Sequence, residues 1–120
     1  MTTKSEKQNE EVRLPDGVSL EMVKAWKERY GHTKIKLATL NAPDGEFEPF
    51  DVVMRVPDRI AMGEFEKYLD KNPNKAKEII LKACLLTKKD EVLANDDMFL
   101  AAFNALAEIL PVAKSEIKNL

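Results

Sequence analysis

The chain has 120 residues, 44% of them hydrophobic and 33% charged, with 19 Lys and Arg against 21 Asp and Glu. That length suits one domain with one core, able to remove roughly two-thirds of its unfolded surface from water. The near-balanced charge argues against a nucleic-acid binder, which needs a basic face for phosphate, and a single cysteine excludes both an internal disulfide and a multi-thiolate metal site within one chain.

Residues 1–12 are polar and charged with no hydrophobic period, so ordering them would cost entropy that no burial returns; they read as a flexible tail, and residues 13–120 as a single α+β domain. The opening residues hold no apolar stretch of the signal-peptide kind, and no segment is long enough to span a membrane. A reducing, cytoplasmic location and no membrane partner are the corresponding expectations.

Leu14-Pro15-Asp16-Gly17 marks a turn, after which Ser19 caps a helix over about Leu20 to Tyr30, with Val18 and Val23 at hydrophobic-staple spacing. Val23, Trp26 and Tyr30 give that helix its buried stripe, and Gly31 ends it in a left-handed turn. From Thr33 the period drops to two: Ile35 and Leu37 alternate with Lys34 and Lys36, which reads as a half-buried strand. Asn41 to Gly45 carries turn chemistry, and Phe50, Val52, Met54 and Val56 form the inward row of a second strand, completing a β-hairpin. Such a hairpin is marginal alone and must lie on helices or pair with another chain.

Pro57-Asp58 stops the strand and caps a helix with Ala61, Phe65, Tyr68 and Leu69 inward and Met62 at the margin. Asn72 and Pro73 then start the helix around which the chain is organised, because from Ala76 to Leu86 it is apolar on nearly every side. Lys88 to Glu91 reads as a charged loop, and Val92 and Leu93 tuck back to the core. Asn95 caps a last helix with Phe99, Ala102, Phe103, Leu106 and Leu110 on one face, which Pro111 should kink or split ahead of Lys114 to Leu120. The expected fold is therefore α+β: an N-terminal helix, a β-hairpin, and a C-terminal bundle of about three to four helices around a central apolar helix.

Residues with catalytic chemistry are few and scattered. His32, the one histidine, has no cysteine or second histidine near it in sequence, and Cys84 lies in an apolar run where burial would make it a poor nucleophile. Asp96 and Asp97 suit a helix start, and Glu64 and Glu66 a helix's wet side. No phosphate-binding glycine loop or nucleophile elbow occurs among four glycines. Lys24, Lys27, Lys34 and Lys36 near Tyr30 and His32 could form a basic strip, but acidic neighbours weaken it. The residues thus predict no enzyme, no cofactor and no metal. What they offer in surplus is apolar side chains, among them Phe47, Phe50, Met54, Met62, Met98 and Leu100.

Trp26-Lys27 with Tyr30-Gly31, the strand end Arg55-Val56-Pro57-Asp58-Arg59 and the helix start Asn72-Pro73 to Ala76 form a recurring pattern. It continues through Ile79-Ile80-Leu81-Lys82-Ala83-Cys84-Leu85, Asp90-Glu91-Val92-Leu93, Asp97-Met98-Phe99-Leu100 and Ala113 to Lys118. Over roughly Leu14 to Leu120 this resembles the small tail assembly chaperones of long-tailed bacteriophages and prophages. The family typically has Gly-Asp in the loop where this chain has Lys88-Lys89-Asp90, and Asp where Asn72 stands. The resemblance implies a non-catalytic cytoplasmic protein, many copies of which keep the phage tape measure protein soluble during tail assembly. A structural oligomer of the virion and a small nucleic-acid-associated regulator are the alternatives. Self-association is also expected, through a hairpin edge or through Met98, Ala101, Ala105 and Ile109 on the last helix. Phe47, Met54, Met62, Met98 and Ile109 are the expected partner-contact residues.

Overall fold

The computed structural model describes residues 13–42, 44–110 and 116–120, so the tail expected over residues 1–12 and the break expected at Pro111 lie outside the described residues. These residues fall into two compact units that meet in sequence between Ile35 and Lys36.

The first unit holds α1 (Leu20–Tyr30). Ser19 caps it from both sides: its hydroxyl accepts from the Met22 N–H at 3.1 Å, and its own N–H reaches the Met22 sulfur at 3.4 Å. This is a capping box with a thioether in place of the usual carboxylate. No residue of α1 is buried; Val23, Trp26 and Tyr30 are half-buried, which corrects the expected buried stripe. Gly31 ends the helix with its N–H on the Lys27 carbonyl at 2.8 Å and a φ of 120°. Its ψ of 142° takes it out of the left-handed helical turn expected, into another positive-φ conformation that glycine adopts most readily.

The antiparallel hairpin of β1 (Ile35–Leu40) and β2 (Phe50–Arg55) lies in the second unit from Lys36 onward. The inward row of β1 is the reverse of the one that the Ile-Lys-Leu alternation suggests. Leu40 is buried and Ala38 packs on the core, whereas Leu37 is 41% exposed. Thr39 lies on the outer row and donates its hydroxyl to Asp51 of β2 at 2.6 Å. The nine residues between the strands include a turn in which Gly45 donates to Ala42, and Phe47 then packs edge-to-face on Phe50, with centroids 5.6 Å apart.

Asp58 caps α2 (Arg59–Leu69), accepting from the Ala61 N–H at 2.8 Å, and Asn72 caps α3 (Pro73–Cys84), accepting from Lys75 at 3.2 Å. Helix α3 is the centre of the unit: Ala76, Ile80, Leu81 and Cys84 have no exposed surface, and the helix packs against both α2 and α5 (Asp96–Glu108). Val52, Met54 and Leu40 of the hairpin join the same core. On α2, Ala61 and Phe65 are buried as the periodicity predicts, but Leu69 is 41% exposed.

Helix α3 stops at Cys84, two residues short of the apolar run. Leu85 is extended and bridges Met54, and the Leu86 N–H donates to the Val53 carbonyl at 2.9 Å. The expected charged loop is instead a short helix, α4 (Lys89–Ala94), entered through Lys88 at a φ of 54°, the one described non-glycine residue with positive φ. No side chain caps it, so the usual sequence signal for a helix start is missing. Asn95 caps α5 through the Met98 N–H at 3.0 Å, and Ala102 and Leu106 are fully buried. The helix ends at Glu108, and residues 116–120 form no helix.

Two substitutions test this packing. Ile80→Asp places an unpaired charge where no surface is exposed and should cost several kcal/mol, abolishing the cooperative thermal transition. An unchanged melting curve would remove α3 from the core. Lys88→Gly relieves a left-handed backbone and loses only an exposed 3.6 Å pair with Glu91, so a gain of up to about 1 kcal/mol in urea unfolding is expected.

Candidate functional site

The strongest electrostatic construction in the second unit is Arg55, at the end of β2. Its Nε donates to the Ala83 carbonyl near the end of α3 at 2.9 Å, and its guanidinium lies 3.4 Å from the Asp58 carboxylate that caps α2. The Arg55 side chain is only 12% exposed. A few residues on, Thr87 accepts from the Val53 N–H at 3.0 Å. Three elements are thereby tied at one corner, and each of these groups already has a structural partner. Asp58 is held below the usual carboxylate range chiefly by the hydrogen bond from Ala61; burial opposes this, and the charge and hydrogen bond of Arg55 add to the lowering.

The isolated candidates for chemistry do not converge. Cys84 is fully buried, and burial pushes its thiol up to about 11, the direction that suppresses nucleophilicity. His32 is exposed; Glu64 is paired with Lys67 at 3.3 Å; Asp96 and Asp97 occupy the first turn of α5. Among the described residues, no group of three or more His, Cys, Asp or Glu side chains could hold a metal ion, and no helix is long and apolar enough to cross a membrane.

The apolar residues expected at a partner surface separate into two kinds. Met54 is 1% exposed and belongs to the core, which rules it out as a surface contact in this fold. Phe47, Met62, Met98 and Ile109 are half-buried and packed against the core, as are Ala101 and Ala105, so α5 has no second face left wholly bare. Of the six residues that seemed surplus, only Leu100 is exposed, at 51%.

The start of α5 nevertheless stands between two open depressions. One, about 520 Å³, is lined by Phe50, Lys88, Glu91, Ala94, Asn95 and Met98. The other, about 470 Å³, is lined by Asn74, Glu78, Leu93, Asp96, Phe99 and Leu100. Met98 alone of the expected contact residues lines either, and Phe47 reaches the first only through Phe50. Sequence reasoning missed these depressions because α4 was not foreseen, and without that helix nothing turns Leu93 toward α3. The two acids followed directly by three apolar residues in Asp96-Asp97-Met98-Phe99-Leu100 were the available signal.

Comparison with protein-family models and with curated proteins finds no match. Among solved structures, an uncharacterised protein from Bacillus stearothermophilus is similar at 18% identity and a TM-score of 0.53, over 79% of this chain and 98% of that one. At that identity the likeness bears on the fold alone.

The pH dependence of the corner follows from Asp58. Its folded-state pKa is depressed, so its contribution is present above the unfolded carboxylate value, near ~3.9, and is lost as pH falls through the lower folded value. Asp58→Asn keeps an acceptor for Ala61 but not the charge. The stability difference between wild type and variant, read from urea midpoints between pH 7 and pH 2, should narrow below about pH 4. A difference constant across that range would show that the charge contributes nothing.

Proposed function

We propose that this protein is a non-catalytic tail assembly chaperone of a long-tailed bacteriophage or prophage, acting in several copies in the bacterial cytoplasm to keep a tape measure protein soluble. The observation that carries the reading is the ordered sequence pattern from Trp26-Lys27 to Ala113–Lys118, which resembles that family over most of the chain. Its motifs coincide with junctions of the fold. Arg55 to Arg59 is the clamp and cap between β2 and α2, Asn72 to Ala76 the capped start of α3, and Asp90 to Leu93 the helix α4.

The family typically has Gly-Asp before the Glu-Val-Leu turn, which falls on Lys89-Asp90 in the first turn of α4, whereas the left-handed residue here is Lys88, one position earlier. For binding, the reading uses the acidic and apolar end formed by α4 and the start of α5, where exposed Leu100 and half-buried Phe99 and Met98 sit among Glu91, Asp96 and Asp97. Apolar groups set among charges can hold hydrophobic stretches without precipitating the carrier.

Co-expression with the tape measure protein of the same tail gene cluster tests the proposal. The tape should move from the pellet to the soluble fraction and co-purify with this protein, in a complex whose mass corresponds to many copies per tape. Tape that stays insoluble with no complex formed would sink the chaperone reading. Retention of the protein in finished particles would replace it with a structural role.

A further inference from the structure

The depression between α3 and the α4–α5 corner is lined by apolar side chains together with charged side chains of one sign. Of its lining residues Leu93 and Phe99 are half-buried and Leu100 is 51% exposed, while the charged ones are Glu78 and Asp96, with no lysine or arginine. Lys82 holds Glu78 at 3.3 Å, but Asp96 makes no ion pair among the described residues, nor does its neighbour Asp97. The positive end of α5, worth about half an elementary charge, offsets only part of these two carboxylates. The charged lining therefore remains negative beside an uncovered apolar surface.

We infer that this depression receives apolar anchor side chains of a partner helix whose flanking residues are lysine or arginine. Leu100 and Phe99 contribute the apolar contact, and Asp96 and Asp97 select the charge of the partner. A helix-in-groove contact divides its roles in this way: burial of a few anchors supplies affinity, and charge complementarity supplies selection and encounter rate. The same carboxylates disfavour acid-flanked helices, because like charges brought together in a partly dehydrated contact repel. This extends the chaperone reading by specifying the chemistry of the bound stretch, but it is tested without the tape protein.

The probes are two fluorescent peptides of about 15–20 residues, alike in presenting leucines at helical spacing, one flanked by lysines and the other by glutamates. Titrated with the full chain at low salt, the lysine peptide should show saturable anisotropy that weakens as salt rises, and the glutamate peptide none. Leu100→Lys should weaken lysine-peptide binding at least about tenfold with an unchanged melting temperature. The double change Asp96→Asn with Asp97→Asn should remove most of the salt dependence. Ile60→Lys, at a 77% exposed apolar position on α2, should leave binding intact. Equal binding of both peptides, no binding of the lysine peptide, or unaltered affinity in Leu100→Lys would each overturn the inference. Loss of tape rescue alongside normal peptide binding would defeat only the chaperone reading, and rescue by the Leu100→Lys variant only the groove.

Discussion

The backbone of β2 has two edges, and the fold depends on how the second is satisfied. β1 takes one; the other is met by the extended residues after α3, where Leu86 donates to the Val53 carbonyl and Thr87 accepts from the Val53 N–H. Val53 is 3% exposed, so leaving both of its backbone groups unpaired would cost on the order of 1–3 kcal/mol for each. Satisfying them requires α3 to stop at Cys84, although the apolar run continues. Arg55 stabilises that stop by donating to the Ala83 carbonyl, one of the orphan acceptors at a helix end, while facing the carboxylate that starts α2. Strand, cap and helix end are mutually dependent at this corner, and α3 is central because its end is fixed there as well as because its sides are covered.

Elements with strong local chemistry were legible in the sequence. Ser19, Asp58, Asn72 and Asn95 are each a side-chain cap, and each marks its helix start correctly. The buried faces of α3 and α5 follow from periodicity, because long helices with one wet side leave little choice of orientation. What the sequence hid was decided by partners distant along the chain. The inward row of β1 is Ala38 and Leu40 because the second half of the strand, not the clean alternation around Ile35 and Leu37, meets the core. A two-residue period states that a strand has two faces and leaves open which is covered. Helix α4 was invisible for a related reason: its entry is a strained Lys88 with no cap, and its support is the burial of Val92.

The candidate surface was harder to read than the fold. An apolar residue has the same sequence signature whether it fills a core or awaits a partner, and Met54 shows how completely the two can be confused. Burial separates them. Phe47, Met62 and Ile109 pack against one small core, whereas Leu100 stays exposed beside an acid of the α4–α5 corner. That combination does not resemble an enclosed ligand site, since both depressions are open and neither presents a cluster of polar groups aimed at one point.

The Arg55 corner also bears on the order in which the chain assembles. Its hydrogen bonds join residues 28 and 34 positions apart, and α2 and α3 with their short connection account for the chain between. Closing a flexible loop of that length costs conformational entropy that grows with the logarithm of its length, before any of these bonds forms. Pairing α2 with α3 first shortens the effective loop, because the helical hairpin returns the chain close to its starting point. This topology favours a nucleus of α2 and α3, with β2 docking later against a helix end that is already in place. Substitutions at the corner would then act mainly on how fast the native state opens, and those between α2 and α3 on how fast it forms.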